Sequence, residues 1–321
     1  MEGYKKVLRF IKDWSLPVAM IIGVLSYLIF HWCRFPWQVR VFANNCVAWL
    51  QPALLFVMLF LSFCKIDIRQ IQFKTWHLWL ALLQAGSFVL LALLVPFFGR
   101  VDQQIVIECA MCCMICPTAT AAVVIVDKLE GDKLSLLAYT IVSNVLAAVV
   151  VPLVIPLVNP NIGTTFVQSF CIIIEKVFPL LVFPFLLALV VRKFFPKLLS
   201  WLLQVRDLAF YFWLIALPLA LAVSTRELVN SDVSFLCFVG MTIVTAICCL
   251  FQFYIGKTIA GKNNDRISGG QAIGQKNTVF MIWMGATFLN PVTAVSGGLY
   301  SICHNTVNSC QLYKKRNVKN A

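Results

Sequence analysis

Charge is scarce in this chain and acid scarcest of all: 26 Lys and Arg and 13 Asp and Glu amount to 12% of the 321 residues. A soluble domain carries roughly a quarter charged residues, so a water-exposed globular surface is excluded. Histidine is rarer still, with 3 in the whole chain. No Ser/His/Asp set and no pair of carboxylates stands in an arrangement that supports hydrolysis, so an enzyme is not expected. No cofactor and no metal are expected either. The net charge of +13 does not point to nucleic acid, because the basic residues are spread over many short segments rather than gathered in one patch.

What fills the chain instead is apolar. Hydrophobic residues make up 61% and the mean hydropathy is +0.88. Those figures describe a polytopic, all-α integral membrane protein. Ten segments are long enough to span: roughly Ser15–Trp32, Val41–Phe63, Trp76–Phe98, Ile105–Val126, Leu134–Val158, Phe166–Val191, Leu208–Ser224, Val233–Ile255, Ile267–Leu289 and Val292–Leu312. With the N-terminus inside, only Arg34, Arg40, Arg100, Lys176 and Arg226 fall on the outer side, and every other basic residue between spans falls on the inner one. That bias on short loops is the positive-inside pattern, and it places both termini in the cytoplasm of a cell-membrane protein. The first apolar stretch follows a basic run, as a secretory signal would. It is too long for one and lacks a small-residue cleavage site, so it reads as an uncleaved first helix. Tyr4–Trp14 reads as an amphipathic lead-in at the inner interface.

Thirteen cysteines lie almost entirely inside the spans and do not indicate an oxidised compartment. Cys109, Cys112, Cys113 and Cys116 recur at helical spacing on one face. Two readings stand for them: a soft-metal site, and small, mildly polar packing between helices. The absence of histidine, and of any acid but Glu108, favours packing.

One basic residue belongs to no loop. Lys276 sits inside the ninth span, in Gly269-Gly-Gln-Ala-Ile-Gly-Gln-Lys-Asn-Thr278. An ionisable group at membrane depth costs a few kcal/mol on insertion scales and marks an ion or substrate pathway. A snorkelling side chain is the plain alternative, but about ten residues separate Lys276 from either end of its span, near the limit of its reach. No acid partners it at mid-depth: Glu108 and Asp127 lie toward opposite ends of the fourth span. The run around it resembles a phosphate-binding loop only superficially, with the lysine displaced by one position and the whole inside the membrane.

The two halves of the chain echo one another. Pro17 and Pro36 bracket the first span, and Pro179 and Pro196 bracket the sixth. The fourth span breaks at Pro117-Thr-Ala-Thr120 and the ninth at Gly274-Gln-Lys-Asn277. Five spans per half is odd, so residues 161–321 enter the membrane inverted relative to residues 1–160. That is the architecture of secondary transporters, whose sites lie where broken helices cross. Non-helical backbone survives there only if buried in protein or lining a wet cavity. The polar candidates at the crossing are Thr118 and Thr120 in one break and Gln271, Gln275, Lys276, Asn277 and Thr278 in the other.

The chain resembles the bile acid:sodium symporter superfamily over nearly its whole length. The resemblance rests on Pro117 with Leu129-Glu-Gly-Asp-Lys-Leu-Ser135, and on Gly274-x-x-Asn277, like that family's ninth-helix motif. Gln84, the Pro52 region, and Tyr300 with His304 and Asn305 support it. It implies a core of helices 3–5 and 8–10, with 4 and 9 crossing, that moves against a panel of helices 1, 2, 6 and 7. It also implies two sodium sites, and here the chain departs. Ala122-Val123 stands where the family has a Ser-Asn pair. Ser135 and either Tyr139 or Thr140 keep part of that shell. Ala272 replaces the shared glutamate (Gln271 in a register shifted by one), and Lys276 replaces a glutamine, or an asparagine in the shifted register. Sodium wants several hard oxygens and charge compensation, and an ammonium in their place repels it. Lys276 is therefore expected to stand where a sodium ion would, donating to carbonyls at the ninth-helix break and to Gln84.

These observations lead to a secondary transporter of a small organic anion in the lipid bilayer, working by alternating access and independent of sodium, either a uniporter or coupled to protons. A sensor or receptor on a transporter fold that no longer transports remains open, as does a sodium-coupled symporter with altered ligands. A cation/proton antiporter would need an acid at the crossing, and none is there. His304 reads either as a proton relay or as a satisfied core histidine. Oligomeric state is not legible.

Overall fold

The computed structural model describes residues 2–33, 35–65, 71–159, 165–205 and 208–320, all of them helix, turn or short connection apart from one isolated bridge. Fourteen α-helices run through these residues. They are α1 Glu2–Trp32, α2 Trp37–Cys64, α3 Thr75–Leu94, α4 Val101–Ile115, α5 Ala122–Lys128, α6 Lys133–Val158 and α7 Phe166–Leu181. After them come α8 Phe183–Phe194, α9 Pro196–Gln204, α10 Leu208–Val229, α11 Phe235–Gly261, α12 Arg266–Gly274, α13 Thr278–Phe288 and α14 Val295–Asn320.

Six helical stretches are long and apolar enough to cross a membrane: Trp37–Cys64, Thr75–Phe97, Lys133–Val158, Phe166–Phe194, Tyr211–Val229 and Phe235–Gly261. The other expected spans fall outside that set for visible reasons. The first lies within α1, whose apolar part among the fully described residues is Pro17–Trp32. The fourth and ninth are broken, and the tenth carries His304, Asn305 and Asn308 along its length. Tyr4–Trp14 is not a separate element but continues into α1 without interruption. The short helix α9 was not expected. It follows directly on α8 and exposes Leu198, Trp201 and Leu203.

The polar residues that start helices do so by capping. Asp132 accepts from the N–H groups of Leu134 and Ser135 at the start of α6, Ser234 from Cys237 at α11, and Asn277 from Phe280 at α13. Each side chain satisfies a donor that the first turn leaves without a partner. The end of α4 follows from Pro117, which bars the helical conformation to the residue before it. Cys116 accordingly has φ −53° and ψ 137°. The stop of α12 at Gly274 has no proline. Gly269-Gly270 and Gly274 make a poor helix former, and Gly274 lies so close to the Phe253 ring that a Cβ there would overlap it.

Glycine also sets how closely α11 and α12 pack. A Cβ on Gly256 would strike the Gly269 carbonyl, and one on Gly269 would strike Ala260. Small residues at such spacing let helix backbones approach in the absence of a hydrophobic drive between helices. The result places the α12 half-helix, and the break at its end, in the middle of the buried region. Residues 268–284 are all buried.

Candidate functional site

The two breaks meet. Thr118 and Lys276 form an antiparallel bridge, with Asn277 N–H donating to the Pro117 carbonyl at 2.9 Å and Ala119 N–H to the Gln275 carbonyl at 2.8 Å. Two stretches of unwound backbone thus supply each other's hydrogen bonds, as buried irregular chain requires. Side chains complete the pairing. Thr118 Oγ1 donates to the Ala272 carbonyl, the Thr118 N–H donates to Ser143 Oγ at 3.1 Å, and Tyr300 Oη donates to the Gly274 carbonyl at 2.9 Å.

The end of α4 presents carbonyls at the negative pole of the helix dipole, and they too are taken. Gln84 Nε2 donates to Ile115 O at 2.6 Å while Tyr139 Oη donates to Gln84 Oε1 at 2.8 Å. Gln252 Nε2 donates to Cys113 O at 3.2 Å. Between them the Lys276 ammonium donates to Met114 O at 3.0 Å, on a side chain only 1% exposed. A cation at a helix C-terminus is the favourable arrangement.

This partner differs from the expected one. The carbonyls of the ninth-helix break are occupied already: Ala272 by Thr118, Gly274 by Tyr300, Gln275 by Ala119. The antiparallel bridge carries the lysine across to the other break, and the Gln84 amide is engaged with Ile115 and Tyr139 rather than with Lys276.

A small cavity of about 70 Å³, room for a few water molecules, opens at the crossing. Its polar lining is Thr120, Gln275, Lys276, Asn277, Thr278, Ser301, His304 and Asn305, and its apolar walls include Met58 and Leu59 of α2 and Trp213 of α10. Asn277 and Thr278 bring the N-terminus of α13 to it, a positive dipole end. Gln275 Oε1 and His304 Nδ1 are buried there without a hydrogen-bond partner among the described residues.

Seven of the twelve candidates from the sequence, Thr120, Gln275, Lys276, Asn277, Thr278, His304 and Asn305, line this cavity, and Thr118 and Gln84 build the crossing behind it. Three lie elsewhere. Gln271 donates to Asn308 Oδ1 at 2.8 Å. The Thr140 hydroxyl donates back to Leu136 O, although its carbonyl accepts from Ser143 and Asn144. Ser135 belongs to a different cluster, beside His77 and Asp265.

Tyr139, expected from the resemblance as an alternative to Thr140 in the remaining ion shell, instead donates to Gln84, and Tyr300 was noted in the sequence without a bonding role. Ser143 and Gln252 were missed, and for Gln252 a signal existed: it is a lone amide inside the apolar helix α11. The cysteine group on α4 is fully buried, with Cys113 Sγ 4.0 Å from Thr245 Oγ1 of α11. Among the described residues no group of His, Cys, Asp and Glu is placed to hold a metal ion.

Residues 52–231, from α2 through α10 and including the first break, match the model of the sodium bile acid symporter family. The chain belongs to that family. Membership in the sodium bile acid symporter family makes it a multi-pass membrane protein of a transporter family whose substrates are organic anions. The matched residues end before Lys276. No curated protein matches the chain.

Proposed function

We propose that the chain moves an organic anion by alternating access without sodium, with Lys276 standing in for a sodium ion. Ten passages in two inverted halves, residues 1–160 and 161–321, fit the helix order once α4–α5, α7–α8 and α12–α13 are each counted as one crossing. In this reading the core comprises α3–α6 and α11–α14, and α1, α2, α7, α8 and α10 form the panel, with both termini in the cytoplasm. The cavity lies between core groups and the panel residues Met58, Leu59 and Trp213, where relative motion would change its access.

The observation that carries the proposal is the Lys276 ammonium on the Met114 carbonyl at the end of the α4 half-helix. A metal cation needs several oxygen ligands, but an ammonium carries its own charge on a covalent tether and needs no carboxylate to hold it in place. Met114 O is on the negative pole of a half-helix, and Ala272 supplies only a backbone carbonyl, already bonded to Thr118. The anion is expected at the α13 N-terminus with Asn277, Thr278, His304 and Asn305, its apolar part against Met58, Leu59 and Trp213.

Uptake into proteoliposomes of a panel of bile-acid-like and smaller carboxylates and sulfates tests the reading, with sodium, pH and membrane potential varied separately. Accumulation or exchange of at least one anion supports it. High-affinity binding of an anion with no flux across the membrane would instead identify a sensor.

A further inference from the structure

At the far end of the α12 half-helix from the crossing lies a cluster that the proposed transport site does not use. Lys74, immediately before α3, bridges Asp132 Oδ2 at 2.9 Å and Asp265 Oδ2. Asp132 caps α6 and Asp265 immediately precedes α12, so one ammonium ties together the starts of three helices. Asp265 is buried and also accepts from Trp76 Nε1 at 3.0 Å and from Ser135 Oγ. His77 joins Ser135 Oγ at 3.2 Å, and Ser268 Oγ donates to the Asp132 carbonyl at 3.0 Å. The two turns that deliver the acids contain the two non-glycine residues of positive φ among the described residues, Glu130 at 62° and Asn264 at 60°. Asparagine adopts that conformation readily and glutamate does so rarely.

The same three helices build the crossing at their other ends. Gln84 of α3 caps α4, Ser143 of α6 bonds Thr118, and Ala272 and Gly274 of α12 offer carbonyls to Thr118 and Tyr300. At ~1.5 Å per residue the three stretches from cluster to crossing are each roughly 10–16 Å long. They are three struts of comparable length pinned at one point.

We propose that Lys74 is a positioning residue for the transport site, holding α3, α6 and α12 in the register that brings the two breaks, and hence Lys276 and Met114, together. It touches neither cavity nor crossing and acts only through the three helices. A weak ion pair at a water-exposed end would not do this. Here one acid is buried with three donors converging on it, and loss of the cation leaves that charge without its main partner.

Hydrogen exchange read by mass spectrometry on the full chain in nanodiscs tests the proposal. In Lys74→Met, backbone amides of residues 112–121 and 271–279 should exchange about tenfold faster than in the wild type, because sub-global opening reaches the crossing. Lys74→Arg, which keeps the charge and can bridge both acids, should restore slow exchange there. Faster exchange confined to the helix starts, with both breaks at wild-type rates, would overturn the proposal. So would equal acceleration over the whole chain. If Lys74→Met does not fold, Asp132→Asn, which removes one of the two acids but keeps the α6 cap, should show the same pattern in weaker form, and its absence would count equally against the proposal. The readout is exchange rather than uptake, so failure here leaves the Lys276 reading intact, and sodium-dependent uptake would leave this one intact.

Discussion

Gln84 and Tyr139 allow the energetics of the crossing to be tested by a cycle whose order of outcomes is unusual. Gln84→Met removes the donor from Ile115 O and leaves the Tyr139 hydroxyl facing no acceptor, both fully buried. Each polar group left unpaired in a buried site costs about 1–3 kcal/mol, so this variant should lose about 2–6 kcal/mol. Tyr139→Phe leaves only Gln84 Oε1 without its donor and should lose about 1–3 kcal/mol. The double variant leaves only the Ile115 carbonyl exposed to the loss, again about 1–3 kcal/mol. It should therefore be more stable than Gln84→Met alone, with a coupling of about 2–6 kcal/mol between the sites. The assay is thermal melting of the purified variants in nanodiscs. One kcal/mol corresponds to a shift of about 2–4 °C or somewhat less at this chain length. Additive losses, with the double variant the least stable of the three, would refute the assignment of Tyr139 as the donor that the Gln84 amide oxygen depends on.

Two further expectations concern packing and pH. Gly269→Ala drives a methyl group onto Ala260 and the Gly256 carbonyl and should cost about 1–3 kcal/mol in melting. Gly86→Ala on α3 has nothing within 4 Å of the new carbon and should be neutral or gain about 0.5–1 kcal/mol. Equal effects would mean that the α11–α12 approach is looser than described. At the Lys74 cluster, burial by itself would raise the Asp132 pKa, but the hydrogen bonds from Lys74 and the Ser135 N–H outweigh it and hold it below its ordinary 3.8. Burial likewise opposes the charge of Lys74, yet its hydrogen bonds to Asp265 and Asp132 raise its pKa above 10.5. A lowered acid contributes stability above its ordinary pKa and loses it as pH falls through the lowered value. A raised base contributes below its ordinary pKa and loses it as pH rises through the raised one. The melting difference between wild type and Lys74→Met should therefore be constant from about pH 5 to about pH 9 and shrink toward about pH 3. A difference that changes across neutrality would contradict that assignment.

Much of the crossing was readable because it breaks local rules. Pro117 stops a helix whatever surrounds it, and a lysine inside an apolar stretch has to be buried or functional, so Thr118, Lys276 and the bridge region stood out in the sequence. The partners did not. Met114 is bonded through its backbone carbonyl, which no side-chain pattern reveals, and it lies 162 positions from Lys276. Lys74 and Asp265 are 191 apart and each looked like an ordinary loop charge. Ser135 and Gln271 were grouped with the crossing by resemblance and by proximity in sequence. One residue turn along a helix is enough to send a side chain to a different neighbour, and Asp265 and Asn308 are the neighbours they found. The short helix α9 and the continuous α1 show the same limit: apolar runs report where membrane contact begins, not where backbone hydrogen bonding stops.

Sodium dependence of uptake, in wild type and in Lys276→Gln side by side, bears most directly on Lys276 as a built-in cation. Wild-type uptake should be the same in sodium chloride and in N-methylglucamine chloride of equal ionic strength, and Lys276→Gln should change in coupling or apparent affinity while inserting normally. Uptake by the wild type that rises clearly with sodium would contradict it.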